Sequence, residues 1–146
     1  MPGAGRRLGA ADPGTLPPMP DADAIRTTIA EYLARFSAGD REGWLDLWAD
    51  GATCEDPVGS PVRTGRDEIG AFWDEGRSAA ESVELRAAGV PVVVGHEAAF
   101  AFDVRPVVGG TTFHLPAVDV MTFDDDARIT SQRAFVDFSM MAPATD

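Results

Sequence analysis

The hydrophobic periodicity of the sequence changes once, near residue 76. Before that point apolar residues recur at helical spacing, and after it they alternate with polar residues as in β-strands. Helices followed by consecutive strands indicate an α+β domain, with the helices packed on one face of a curved antiparallel sheet. No internal repeat is visible, and 146 residues leave room for one domain of ordinary size.

The helical part predicts three helices. Gly39 ends the first helix, and Asp40 caps a second that continues through Trp48. Thr64 and Asp67 have the spacing of a capping box that opens a third helix. The apolar faces consist of Ile25, Ile29, Tyr32, Leu33 and Phe36, then Trp44, Leu47 and Trp48, then Ile69, Phe72 and Trp73.

The second part predicts consecutive strands. Gly109 and Gly110 supply a hairpin turn between a strand at 98–107 and a long strand at 112–123. A last strand runs from Ile129 to about Phe138. The apolar run 90–94 has the composition of a buried strand and is expected to lie in the core.

The two ends of the chain differ from this pattern. Residues 1–20 are rich in proline and glycine without apolar periodicity, which predicts a flexible arm. We expect the domain at 21–140 and a C-terminal tail at 141–146. No apolar stretch resembles a secretory signal or a membrane span, so the prediction is a soluble, cytoplasmic protein with no membrane partner.

Charge and cysteine content exclude some classes of function. The formal net charge is −12, and no basic stripe offsets it, so nucleic acid is not expected as a partner. Cys54 is the only cysteine, so a thiolate metal site is excluded. We predict neither a metal nor a cofactor.

Three polar residues lie where an ordinary core would not place them. Tyr32 is on the apolar face of the first helix, although a tyrosine hydrogen-bonded within the core would also fit. Asp56 precedes Pro57 after a short strand, where an ordinary turn aspartate is an alternative. Asp119 would need an arginine or a backbone donor if its role were structural. It alternates in phase with the apolar residues Phe113, Leu115, Ala117, Met121 and Phe123.

These residues occur in segments that resemble bacterial ketosteroid isomerases. The most specific segment is Glu-Asp-Pro-Val-Gly-Ser at 55–60, within the longer run 49–60. Glu-Tyr-Leu-Ala at 31–34, Ala-Gly-Asp at 38–40, Glu-Ala-Ala-Phe-Ala-Phe at 97–102 and Arg-Ala-Phe at 133–135 follow the same order. The resemblance covers nearly the whole domain. It implies the cone-shaped fold of the NTF2-like and SnoaL-like superfamily, with helices on a mixed, mostly antiparallel sheet.

The resemblance also implies a reaction and its residues. Asp56 would be the base that moves a proton from one carbon of a 3-oxo-Δ5-steroid to another, giving the conjugated Δ4 product. Tyr32 would donate to the oxyanion. Asp119 would be a protonated second donor, a behaviour known for this family. A homodimer is implied as well, and one sheet face left without helices is consistent with it.

The apolar residues near these positions are candidates for the steroid pocket. Trp73 stands where some relatives have a second tyrosine, and Val136 stands where some have a tryptophan. The full set of candidate substrate-binding residues is Phe72, Trp73, Phe100, Phe102, Leu115, Val118, Met121, Phe135 and Val136.

Two other classes of function stay open. One is another enzyme on the same fold, such as a polyketide cyclase or an epoxide hydrolase, the latter needing an Asp-Arg-Asp arrangement that the sequence does not locate. The other is a non-catalytic protein that binds steroid-like ligands. Conversion of a Δ5-3-ketosteroid would separate the isomerase from both.

Overall fold

A computed structural model describes residues 20–145. The arm predicted at 1–20 lies outside this range except for its last residue. The helices are α1 (Ala22–Ala38), α2 (Arg41–Leu45) and α3 (Gly65–Ser78). The strands are β1 (Trp48–Glu55), β2 (Arg63–Thr64), β3 (Ser82–Ala87), β4 (Val92–Val94), β5 (Glu97–Val108), β6 (Thr111–Phe123), β7 (Ile129–Val136) and β8 (Ala142–Pro143).

The strands form a mixed, mostly antiparallel sheet. Its order is β2-β1-β7-β6-β5-β3, with β4 pairing to β5 and β8 pairing to β6. Among the pairs in the described part of the chain, only β1 and β7 run parallel. This architecture confirms the predicted α+β class.

The first helix carries one wall of the core. The Asp21 side chain accepts a hydrogen bond from the Asp23 backbone N–H at its start, and Gly39 ends it in a left-handed conformation with φ 75°. Its buried face includes Ile25, Ile29 and Tyr32, as the periodicity predicts. The Thr28 hydroxyl donates to the Ala127 carbonyl at 2.7 Å, which ties α1 to the turn between β6 and β7.

The second helix is shorter than predicted. It ends at Leu45, and Trp48 begins β1 instead of continuing the helix. Trp48 is opposite Ile129 in the parallel pairing with β7 and is fully buried. The prediction of a helix through Trp48 is wrong, because pairing with a strand far along the chain overrides the local spacing.

Two further local predictions are corrected. The Thr64 side chain makes no capping hydrogen bond, and it is the Glu68 carboxylate that accepts from the Thr64 backbone N–H. The run 90–94 is not buried, since Val90 and Val94 are 78% and 73% exposed. Its strand β4 pairs only with β5, so it lies at an edge of the sheet.

The end of the chain contributes to the sheet. β7 stops at Val136, and Phe138 lies in a 3₁₀ turn, so the last predicted strand is two residues too long. Residues Ala142–Pro143, which the sequence assigned to a tail, pair with β6. None of the helices within 20–145 combines the length and apolar character that a membrane span requires.

Candidate active site

Asp56 lies directly after β1, where the chain leaves the sheet. The peptide bond between Asp56 and Pro57 is cis. The backbone N–H of Val58 donates to the Ala134 carbonyl at 2.8 Å, so the loop is held against β7. The Asp56 side chain lines a cavity between the helices and the sheet.

Asp119 projects from the middle of β6 into the core. It is opposite Phe100 on β5 and Ala134 on β7, and it is fully buried. This confirms the prediction from alternation that a carboxyl lies on the apolar face of this strand. Oδ1 of Asp119 has no hydrogen-bond partner within residues 20–145.

Gln132 joins the two carboxyl groups. Its Nε2 donates to Oδ2 of Asp56 at 3.3 Å and to Oδ2 of Asp119 at 3.2 Å. Its Oε1 accepts from the Cys54 thiol at 3.0 Å. Sequence reasoning missed Gln132 and this connection.

Tyr32 faces the same region from α1. Its ring packs against the rings of Trp44, Trp48 and Phe100, with centroid separations of 5.5, 6.3 and 6.4 Å. Tyr32 also lines the cavity. Its hydroxyl forms no hydrogen bond to the described part of the chain, so it is available to a ligand.

Burial sets the protonation of these groups. It raises the pKa of Asp119 well above the ordinary value, and the charge of Asp56 raises it further, while the Gln132 hydrogen bond lowers it. Burial also raises the pKa of Asp56, against the lowering effects of Gln132 and Arg63. The pKa of Tyr32 is raised well above its ordinary value by burial and by the two carboxyl groups. Asp119 is therefore held in its neutral form more strongly than Asp56.

The cavity has a volume of about 350 Å³, within the roughly 300–1,000 Å³ of small-molecule sites. Four of the predicted pocket residues line it: Phe72, Phe102, Leu115 and Val136.

The other predicted pocket residues lie elsewhere. Trp73, Phe100 and Met121 are buried in the core and are not among the residues that line the cavity. Val118 and Phe135 are about half exposed on the opposite face of the sheet, because each is next in sequence to an inward-facing residue, Asp119 or Ala134. There they line an open groove of about 820 Å³, here called the outer groove, together with Val58, Arg86, His114 and Met140.

The cavity has walls that sequence reasoning did not include. The segment after β7 supplies Phe138 and Met141, which are 59% and 44% exposed. Their exposure places them at the mouth of the cavity. The remaining lining residues are Phe36, Gly76, Ala79, Ala80, Val83, Leu85, Val104, Pro106, Val108 and Ala134.

Comparison with known proteins decides the family. Residues 29–132 match the SnoaL-like domain, which is more than half of the chain. This chain belongs to the SnoaL-like family. The match confirms the predicted superfamily, and the NTF2-like fold predicted with it agrees with the observed helices and sheet.

Two proteins that are similar to this SnoaL-like chain carry names that state an activity. The Steroid Delta-isomerase of Nocardioides simplex is 40% identical over 111 residues, which cover 76% of this chain and 88% of that protein. The solved structure of SalBIII, an epoxide hydrolase/cyclase-like enzyme in pyran ring formation of salinomycin, has a TM-score of 0.77 at 25% identity. That match covers 85% of this chain and 98% of SalBIII. Because the 40% identical relative is an isomerase, the prediction of an enzyme is confirmed at that level.

Proposed function

We propose that this protein is a steroid Δ5-isomerase that converts 3-oxo-Δ5-steroids to conjugated 3-oxo-Δ4-steroids. The observation that carries the proposal is a pair of unlike carboxyl groups that are joined through Gln132 and of which one lines the apolar cavity. Asp56 lines the cavity, whereas Asp119 is fully buried with a pKa well above its ordinary value. The 40% identity to a Steroid Delta-isomerase supports the same reaction.

The reaction needs a base and a neutral donor in one site. Ionised Asp56 removes a proton from the carbon beside the ketone and returns it to a more distant carbon of the dienolate. Tyr32 and protonated Asp119 donate to the ketone oxygen as its negative charge grows. Since the apolar surroundings favour the neutral form of Asp119, it is the carboxyl suited to donation.

The two ionisation states predict a bell-shaped dependence of activity on pH. Activity rises as Asp56 ionises and falls as Asp119 ionises, with a plateau between them. The raised pKa of Tyr32 keeps its hydroxyl protonated across that plateau. The apolar cavity wall matches a steroid skeleton, which presents little besides its ketone for hydrogen bonding.

A ring-forming or epoxide-opening reaction is the second candidate, and the similarity to SalBIII favours it. An epoxide hydrolase would need an arginine between its two aspartates. Gln132 occupies that position, and an amide cannot supply the arginine charge.

One assay tests the proposal. The purified protein is mixed with a Δ5-3-ketosteroid, and the ultraviolet absorbance of the conjugated enone is followed with time. We expect enone to form with wild type and to be nearly absent with Asp56→Asn. Tight binding of the steroid with no enone would establish the non-catalytic binding protein instead.

We also propose that the protein is a homodimer that associates through the outer groove. Val118 and Phe135 expose apolar surface there, and the described helices lie on the other face of the sheet. The cytoplasmic location stays a prediction.

A further inference from the structure

We propose that Gln132 is a positioning residue that holds Asp56 and Asp119 in their separate tasks, and that Cys54 fixes the orientation of its amide. The inference rests on the proposed function for its effect on catalysis. The three hydrogen bonds that carry it exist independently of any reaction.

The amide has one orientation that satisfies its neighbours. Gln132 and Cys54 are each 1% exposed, so water does not compete for their hydrogen bonds. Burial raises the pKa of the Cys54 thiol, which therefore stays protonated and donates to Oε1 of Gln132. With Oε1 fixed toward the thiol, both N–H bonds of Nε2 point to the carboxyl groups.

This orientation decides where the Asp119 proton lies. Oδ2 of Asp119 accepts from Gln132, so the proton of the neutral acid is carried by Oδ1. Oδ1 is the buried atom without a partner in the described residues. Gln132 therefore leaves one defined O–H of Asp119 without a partner among the described residues, and this is the O–H that the proposed mechanism needs as a donor. At the same time its second N–H holds Asp56, which accepts as a carboxylate.

The charged and titratable groups around Gln132 come from four elements. Tyr32 faces the carboxyl groups from α1, Cys54 from β1 and Arg63 from β2, while Asp119 itself is on β6. Burial raises the pKa of both aspartates, and the Gln132 hydrogen bond opposes that effect at each. Loss of the amide should therefore raise both pKa values together.

The test compares pH profiles of kcat/KM for wild type and Gln132→Met, which keeps the length of the side chain and removes its donors. We expect both limbs of the profile to move to higher pH, and kcat/KM near neutrality to fall about ten-fold, the scale of a lost hydrogen bond to a charged group. Ser131→Ala is the matched control. Ser131 precedes Gln132 on β7 and bonds Thr122 on the other side of the strand, so its loss should leave both limbs in place.

Two variants of Cys54 test the orientation of the amide. Cys54→Ser keeps a donor toward Oε1 and should retain the wild-type limbs. Cys54→Ala removes that donor, so the amide can turn its oxygen toward the carboxyl groups and both limbs should move up. Equal profiles for these two variants would overturn the role of the thiol. The pair also supplies the test if Gln132→Met does not fold.

A readout that needs no activity separates this inference from the proposed function. Carbon-13 NMR of labelled aspartate carboxyl groups reports the titration of Asp56 and Asp119 directly. If wild type makes no enone, the isomerase proposal fails, and the NMR titrations alone then judge the role of Gln132. Carboxyl titrations that are the same in folded Gln132→Met and in wild type would overturn the inference.

Discussion

At the scale of single residues, Asp56 and Asp119 share a hydrogen-bond partner but have different surroundings, and the difference supports the separate tasks that we propose for them. Asp56 lines the cavity, and the positive charge of Arg63 lowers its pKa, whereas Asp119 is fully buried among apolar neighbours on the adjacent strands. A carboxyl in the first setting is the better base, and one in the second is the better donor.

Substitutions should reveal this difference in activity. Asp56→Asn removes the base altogether, whereas Asp119→Asn can still donate a hydrogen bond through its amide, so the first should lose more activity. Tyr32→Phe should lose about 100-fold or more in kcat, the usual effect of losing an oxyanion donor. Steady-state kinetics on the three purified variants make the comparison. Equal, small losses in all three would contradict the assigned roles.

The pH profile should separate the two carboxyl groups. In Asp119→Asn the upper limb of kcat/KM should move or vanish, because an amide does not ionise, and the lower limb should stay. Tyr32 can contribute to the same upper limb, so its position belongs to the coupled groups. Rates measured across the full pH range for both proteins provide the check, and an upper limb unchanged in the variant would remove Asp119 from its role.

Stability should depend on pH through the same residue. The pKa of Asp119 is raised in the folded protein from an ordinary value of 3.8. The folded state therefore binds this proton more tightly, and its contribution to stability is complete below that value and is lost as pH rises toward the folded-state pKa. Asp119→Asn has no such loss, so its free energy of unfolding relative to wild type should increase from about pH 4 upward. Urea titrations at several pH values test this, and a constant or decreasing difference would count against it.

At the scale of elements, the segment after β7 closes part of the cavity. Phe138 and Met141 line its mouth while they remain exposed, so we expect them to contribute contact to a ligand more than stability to the fold. Phe138→Ala and Met141→Ala should raise KM several-fold with kcat and the melting temperature nearly unchanged. Met140→Ala is the control, because Met140 lines the outer groove instead. An unchanged KM in both Phe138→Ala and Met141→Ala would show that these two side chains do not contribute to substrate binding.

The elements also show which sites the sequence can locate. Asp119 is found by alternation because β6 is long and its pairing with β5 is regular around that residue. Alternation along β7 does not identify Gln132 as an inward-facing residue. The pairing of β7 with β6 shifts register near Ile129, so the alternation that begins there is out of step with the inward-facing Gln132 and Ala134.

Other misplaced elements have a non-local cause. Trp48 fits the spacing of a helix face, yet it is fixed by pairing with Ile129, about 80 residues later. The residues 90–94 have the composition of a core strand, but only the order of strands in the sheet reveals that they lie at an edge. The class of fold and the three chemically unusual residues follow from local patterns, whereas pocket membership depends on pairing between distant strands.

At the scale of the whole molecule, the outer groove predicts association. Two chains that cover this apolar surface should give a particle of twice the chain mass of 15.5 kDa. Light scattering at micromolar concentration measures it. Val118→Arg should shift the mass toward the monomer, and Val90→Arg should not, because Val90 is exposed outside the groove. A wild-type mass of one chain would contradict the proposed dimer.

The parallel pairing of β1 with β7 has a consequence for synthesis of the protein. Asp56 follows β1, but the strand beside it, which carries Gln132, leaves the ribosome only after β2 to β6. A nascent chain with α1 and β1 already released has no neighbour for β1 on this side until residues 129–136 emerge. Contacts of such long sequence separation form late in folding. The hydrogen bonds that join the two carboxyl groups through Gln132 therefore form only after residues 129–136 have been translated. A nascent chain that ends before them has Asp56 without the amide that holds it.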